Sequence, residues 1–226
     1  MLTKTTFNFN IKPIIDQVTE MAWYDRSISL NETAGTLLNG PYTIKPEFQN
    51  TPLGNVLASL GNIGEARLLK LDSGGVYTAH TDPDDRLHLS IISNEFCYLV
   101  NLEDNTLHHL PVDGYIWDMD TSIRHSAVNL GGKERIHLNI RKLLPAVTGD
   151  AYRITFDLGG FDWKQQLYLD TMGYVNRKIK DNTITGFERI SDKEILVSVA
   201  DKSVINYLSN TAKSNGIMVL IKQENR

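Results

Sequence analysis

The sequence predicts a mainly β protein with flanking helices, followed by a small α+β unit. Three observations lead there. About eight short strand candidates, separated by polar turn pieces, run from about Ala66 to Leu144, a pattern that indicates a sandwich or barrel. Two stretches before them carry apolar residues at helical spacing. After them, strand and helix patterns follow in the order βαββαβ.

In "IKPIIDQVTEMAW", Ile14, Val18 and Met21 recur at the period of a helix. In "TPLGNVLASLG", Thr51 suits the cap, Pro52 the first helical position and Gly61 the stop. The strand candidates are "ARLLKLD", "VYTAHTD", "RLHLSII", "FCYLVNL", "TLHHLPV", "GYIWDMD", "HSAVNL" and "RIHLNIRK", parted by pieces such as "DSGG", "DPDD", "EDN", "VDG" and "NLGG". From about Ala146, "YRITFDL" places Tyr152, Ile154, Phe156 and Leu158 on one face. In "WKQQLYLDTMGYVNRKIK", Tyr168, Met172, Val175 and Ile179 align as on a helix. "TITGFERI" and "EILVSVA" read as strands, "DKSVINYLSNTAKSNG" as a helix ending at Gly216, and "IMVLIK" as a last strand. This is the split-βαβ order of ferredoxin-like units. The expected division is 1–145 for the β domain with its N-terminal helices and 146–226 for a small accessory domain serving packing, assembly or substrate presentation.

A length of 226 residues suits one large domain, or one domain plus a small one. The net charge of −4, with no Lys/Arg cluster interleaved with aromatics, argues against nucleic-acid binding. Cys97 is the only cysteine, which excludes an intrachain disulfide and a cysteine-based zinc site. The start, "MLTKTTFNFNIKPIID", lacks the apolar core of a signal peptide, and no stretch is apolar enough to span a bilayer. The expectation is a soluble, cytoplasmic protein with no membrane partner.

Chemistry concentrates in "VYTAHTDPDDRLHLS". His80 and Asp82 stand two apart, so in a strand both side chains leave the same face. His125 lies farther along, in "HSAVNL". Two histidines and one carboxylate, with the remaining positions open, form a donor set suited to ferrous iron in oxygen chemistry. A closed four-ligand site would leave no room for a bidentate cosubstrate and dioxygen. The strand pair and the distant histidine fit a double-stranded β-helix, a jelly-roll or cupin-like core whose facing strands converge on a pocket. Arg135, ten residues after His125, would enter the same pocket from the next antiparallel strand. Its planar fork suits the distal carboxylate of a dicarboxylate. Arg86 and His88 share an inward face in "RLHLSI", with Leu87 and Leu89 on the other.

Each position also has a plainer reading. His80 and Asp82 could be a polar strand end entering the turn "DPDD". His125 could cap a loop, Arg135 could lie on the surface of "GGKER", and Arg86 with His88 could pair with the Asp-rich turn. His108 and His109 are adjacent, face opposite ways in a strand, and read as surface or packing residues. His137 shares a face with Arg135 and could enter the pocket as a neutral hydrogen-bonding group, although a satisfied core histidine is the favoured reading; Trp117 reads as core rather than as a substrate platform. Cys97 reads as a small buried hydrophobe. Asp118 and Asp120 are candidates to accept a hydrogen bond from a metal-ligating histidine.

The motifs "HTD", "RLHLSI", "GYIWDMD", "HSAVN" and "RIHLNI" resemble the aspartyl/asparaginyl β-hydroxylase-like group of iron(II)/2-oxoglutarate dioxygenases, which includes bacterial proline hydroxylases. The resemblance spans roughly Leu68 to Arg141 and leaves both ends unmatched. It implies that His80, Asp82 and His125 ligate Fe(II) and that Arg135 binds the distal carboxylate of 2-oxoglutarate. Arg86 and His88 match residues that contact the cosubstrate's other carboxylate, although their spacing from the first ligand is shorter here. The peptide-modifying β-hydroxylases carry glycine where this chain has Asp82, so the resemblance leans toward the branch with a complete triad, such as the proline hydroxylases. It implies a hydroxylase that uses O2, releases succinate and CO2, and acts on a free amino acid or a peptide side chain, with Pro or Asp/Asn as leading candidates. The alternatives are a metal-dependent cupin-like enzyme that does not use 2-oxoglutarate, and a non-catalytic binding module. The sequence leaves the oligomeric state open.

Overall fold

Strand alternation sorts the first sheet into an apolar face and a polar one. In β11 (Arg135–Arg141), Ile136, Leu138 and Ile140 are buried on one side, and Arg135, His137 and Asn139 point to the other. In β6 (Arg86–Ile92), Leu87, Leu89 and Ile91 oppose Arg86, His88 and Ser90. The two strands pair antiparallel at the centre of a six-stranded sheet of order β1-β9-β6-β11-β5-β2. The other strands of this sheet are β1 (Leu2–Asn8), β2 (Ser27–Ser29), β5 (Ala66–Leu71) and β9 (Tyr115–Met119). The computed structural model describes residues 1–159 and 162–225.

Two helices cover the apolar face. α1 (Ile11–Glu20) buries Ile14 and Val18, and α2 (Pro52–Leu60) buries Leu53, Val56 and Leu57 against Leu68, Leu89, Ile136 and Leu138. Burying each such side chain contributes about 1.5–3 kcal/mol. Both helices fall where the periodicity places them, except that Met21 is the C-cap of α1 rather than a helical residue. α2 begins and ends as expected: the Thr51 hydroxyl accepts from the Gly54 amide at 3.2 Å, and Gly61 has φ of 74°. Thr51→Ala should therefore cost about 1 kcal/mol in a denaturant melt.

The polar face looks onto a second, smaller sheet made of β10 (His125–Asn129), β7 (Cys97–Asn101) and β8 (Thr106–His108). Residues 76–80 extend its edge through single antiparallel bridges, Val76 to Val128 and His80 to His125. The sequence suggests a continuous strand over "VYTAHTD", but residues 77–79 and 81–85 are irregular. Asp82 instead donates its amide to the Thr121 carbonyl at 3.0 Å, outside any ladder. Four strands were not legible: β1, β2, and the hairpin of β3 (Asn31–Thr36) with β4 (Gly40–Ile44). β1 reads LTKTTFN and is mostly exposed, so apolar alternation does not mark it.

The last six elements share one core. β12 (Asp150–Asp157), α3 (Asp162–Lys180), β13 (Ile184–Ser191), β14 (Glu194–Val199), α4 (Ser203–Ser214) and β15 (Met218–Asn225) follow the βαββαβ order. Their antiparallel sheet runs β13-β14-β12-β15 and packs Ile154, Phe156 and Val197 against Met172, Val175 and Leu208 of the helices. Leu38, from the β3–β4 turn, joins this core. The neighbouring Asn39 amide donates to the carbonyls of Leu144, Pro145 and Phe187 at 2.9–3.1 Å. The chain as described is mainly β, with every sheet antiparallel. Among the described residues, no helix is long and apolar enough to cross a membrane.

Candidate metal centre

The bridge between His80 and His125 sets the site. Their backbones exchange hydrogen bonds of 3.0 and 2.9 Å, which brings the two rings to 4.6 Å between centroids. Each ring is oriented by a carbonyl two residues upstream. His80 Nδ1 lies 2.7 Å from the Thr78 oxygen and His125 Nδ1 lies 2.8 Å from the Ile123 oxygen. A carbonyl only accepts, so both Nδ1 atoms carry the proton and both Nε2 atoms are left to bind a metal. The Nε2 atoms stand 3.6 and 3.7 Å from Asp82 Oδ2. One donor atom from each of the three residues falls within 4.8 Å of the others. The second Asp82 oxygen, Oδ1, is held by Arg86 Nη2 at 2.9 Å, which leaves Oδ2 as the oxygen facing the two imidazoles.

Electrostatics support the same assignment. Burial opposes ionisation of Asp82, but Arg86 first, and then the two histidines, hold its carboxyl well below the usual carboxylate range. Burial pushes His125 down, whereas at His80 the Asp82 carboxylate outweighs burial and pushes the imidazole up. Binding of a divalent ion must displace any proton on His80, so affinity weakens toward acid pH.

The triad opens into a cavity of about 330 Å³ that also takes in Arg86, His88 and Arg135. Arg135 is 2% exposed, and its Nε and Nη1 have no hydrogen-bond partner among the described residues. Burial pushes its guanidinium down, with only Tyr77 and Cys97 opposing. A buried cation with unmet donors costs several kcal/mol unless an anion completes it. Arg86, by contrast, is engaged with Asp82 and with Asp84 at 3.3 Å, so it shows the ion pair with the Asp-rich turn as well as a place in the cavity wall.

His88 Nε2 meets the Asn139 amide at 3.2 Å, and its Nδ1 has no partner among the described residues. Burial, then Arg135 and Arg86, push it down to about 3. His137 corrects an expectation. It is buried as supposed, but neither ring nitrogen is hydrogen-bonded among the described residues, and it lies edge-on to His88 at 6.0 Å. Burial and Arg135 hold it well below the ordinary histidine value. Both imidazoles are neutral in the fold and take up protons on unfolding. The metal-free protein should therefore lose stability as pH falls from about 6.5 toward 3, by up to about 1.4 kcal/mol per pH unit from His88, with His137 acting in the same direction. Urea melts across that range check the slope, and in His137→Phe it should become shallower.

Asp118 and Asp120 do not orient the His80 and His125 rings. Asp118 pairs with Lys142 at 2.6 Å, and Asp120 is taken by Ser122 and by Lys180 at 2.8 Å. The backbone carbonyls of Thr78 and Ile123 do that work instead, and no side-chain pattern could announce them. His108 contacts Thr106, and His109 Nδ1 contacts the Cys97 carbonyl at 3.0 Å, both outside the cavity lining. Trp117 is half-buried beside Met119 and Leu71. Cys97 is buried, with its thiol 3.1 Å from Asn129 Oδ1. The sequence reading missed Arg67, Asn139 and Arg141 in the cavity wall. Strand parity was the available signal: Asn139 and Arg141 share the face of Arg135, and Arg67 pairs with Asn139 across β5.

No family model and no curated protein sequence matches the chain. Among solved structures, the crystal structure of a Pseudomonas putida prolyl-4-hydroxylase is similar at 13% identity with a TM-score of 0.41, covering 63% of this chain and 91% of that one.

Proposed function

We propose that this chain is an Fe(II)/2-oxoglutarate-dependent dioxygenase that hydroxylates an amino acid or peptide side chain, built on a double-stranded β-helix. The observation that carries the reading is the unpaired, buried Arg135 guanidinium in the same cavity as the His80, Asp82 and His125 donors. A metal triad alone fits many reactions. A triad beside a buried cation that lacks an anion fits one in which a dicarboxylate binds between them.

His80 Nε2, Asp82 Oδ2 and His125 Nε2 would hold the iron. Bound Fe(II) with 2-oxoglutarate supplies the oxidation, in which O2 is split between the cosubstrate, released as succinate and CO2, and a hydroxylated substrate carbon. The chain's own residues bind and orient. Arg135 takes the distal carboxylate of 2-oxoglutarate. Arg86 fixes the free oxygen of Asp82 and, with His88, lines the wall where the cosubstrate's other carboxylate would lie. Leu99, Met119 and Ala127 give the cavity apolar walls that exclude water from the reacting centre. Arg67, Arg141 and Asn139 offer polar contacts to the substrate. Pro and Asp/Asn, free or in a peptide, are the leading substrates, O2 is the co-reactant, and the enzyme works in the cytoplasm without nucleic acid or membrane. Succinate release from 2-oxoglutarate, measured across a panel of amino acids and peptides, tests the proposal. Substrate-dependent succinate supports it. Turnover of a substrate that persists without 2-oxoglutarate would contradict it.

A further inference from the structure

Two segments deliver the three ligands, residues 79–85 and 121–125, and α3 of the C-terminal unit lies across both. Thr81 sits between the ligands His80 and Asp82 and sends its hydroxyl into one rung of that helix. Its Oγ1 accepts from the Gly173 amide at 2.7 Å and donates to the Leu169 carbonyl. Residues 169 and 173 are the i and i+4 partners of an ordinary helical bond, so the ligand segment is spliced into the hydrogen-bond ladder of α3. Gly173 makes this approach feasible. A Cβ there would lie 2.4 Å from the Ser122 carbonyl oxygen and 2.9 Å from Thr81 Cγ2. A glycine inside a helix is less favourable than alanine, and here the close approach accounts for it.

The contacts continue along the helix. Gln166 donates to the Ala79 carbonyl at 2.8 Å, and the buried Asn176 amide donates to the Asp82 carbonyl at 3.2 Å and to Asp85 Oδ1 at 3.0 Å. Arg177 donates to the Ser122 carbonyl at 2.9 Å, and Lys180 pairs with Asp85 at 2.9 Å. Two of these bonds end on the carbonyls of Ala79 and Asp82, and two more on the Thr81 hydroxyl between the ligands, in a stretch that has almost no sheet ladder of its own. Fixing an irregular backbone costs conformational entropy at every residue. Contacts from α3 place that cost in folding rather than in metal binding.

Building on the metal centre proposed above, we infer that α3 is a structural part of it, with Thr81, Gly173 and Asn176 as positioning residues that set the His80–Asp82 geometry. The C-terminal unit is then more than an accessory: its longest helix is the outer wall of the ligand segment.

The test uses the full chain and Fe(II) alone, with the dissociation constant measured anaerobically by equilibrium dialysis. Thr81→Val, which keeps the shape and removes the hydroxyl, and Asn176→Ala should each weaken Fe(II) binding about ten-fold or more, the range typical for groups that orient metal ligands. Thr81→Ser, which restores the hydroxyl, should recover wild-type affinity. Lys178→Ala, which removes an ion pair with Asp181 in the turn just after the helix, should leave affinity unchanged. Amide exchange at residues 80–85 of the metal-free protein should quicken in Thr81→Val and Asn176→Ala. Exchange gives a readout on folded molecules even if a variant is unstable. If wild type binds Fe(II) and both variants bind equally well, the inference fails and the metal centre stands. If Lys178→Ala loses as much affinity as they do, the effect is general destabilisation and the inference fails. If wild type binds no Fe(II), the metal centre itself fails, and the inference with it.

Discussion

Arg135→Met should stabilise the metal-free protein while crippling its use of 2-oxoglutarate. The native guanidinium is 2% exposed, and among the described residues two of its nitrogens have no partner and no carboxylate acts on it. Replacing a buried charge by an apolar chain of similar length removes that penalty, a gain of about 1–4 kcal/mol in comparable exchanges. For a chain of this size this corresponds to a rise in Tm of roughly 2–15 °C. The same change removes the cation that would meet the distal carboxylate. Truncating one partner of a buried charge pair costs about 2–5 kcal/mol, so the 2-oxoglutarate concentration needed for half-maximal binding should rise by about thirty-fold to several thousand-fold. A purely structural arginine gives the opposite pattern, a lower Tm with no cosubstrate effect. Differential scanning calorimetry and a 2-oxoglutarate titration separate the two.

Asp82→Asn should abolish Fe(II) binding with little loss of fold. The amide oxygen can still accept from Arg86, which also keeps Asp84, so the fold persists, but the charge that Arg86 and the histidines stabilise is lost, at a cost of about 1.5–3 kcal/mol. The anionic donor between the two Nε2 atoms is gone, and affinity for a divalent ion should fall at least about a hundredfold, beyond the loss typical of outer partners. Asp82→Ala should add a stability loss of about 1–3 kcal/mol, because Arg86 then keeps only part of its pairing inside the protein. Dialysis against Fe(II), with urea melts of both variants, distinguishes the ligand role from the ion-pair role.

The parts of the fold that were legible are those where local pattern and tertiary role agree. "RIHLNI" and "RLHLSI" alternate because one face meets α1 and α2 and the other meets the cavity. The six C-terminal elements were legible because each carries its own apolar period, as in Ile154, Phe156 and Leu158 of the β12 stretch. β1 to β4 are short, exposed or rich in small polar residues, and pairing rather than composition makes them strands. The candidate site was legible in its side chains and hidden in its supports. His80, Asp82 and His125 converge. Their orientation, however, comes from the Thr78 and Ile123 carbonyls and from a helix some ninety residues downstream. A bond from Gly173 to Thr81 leaves no periodic trace in either segment. His137 shows the limit of inference by residue type, since burial was foreseen and the lack of any partner was not.

One measurement bears most directly on the claim that this cavity holds iron and 2-oxoglutarate together. The metal-free protein is mixed anaerobically with Fe(II), then with 2-oxoglutarate, and the visible spectrum is followed. A weak metal-to-ligand charge-transfer band should appear only when both are present. It should vanish in His125→Ala and require far more 2-oxoglutarate in Arg135→Met. A folded wild-type protein that binds Fe(II) yet gives no band at saturating 2-oxoglutarate would contradict the account.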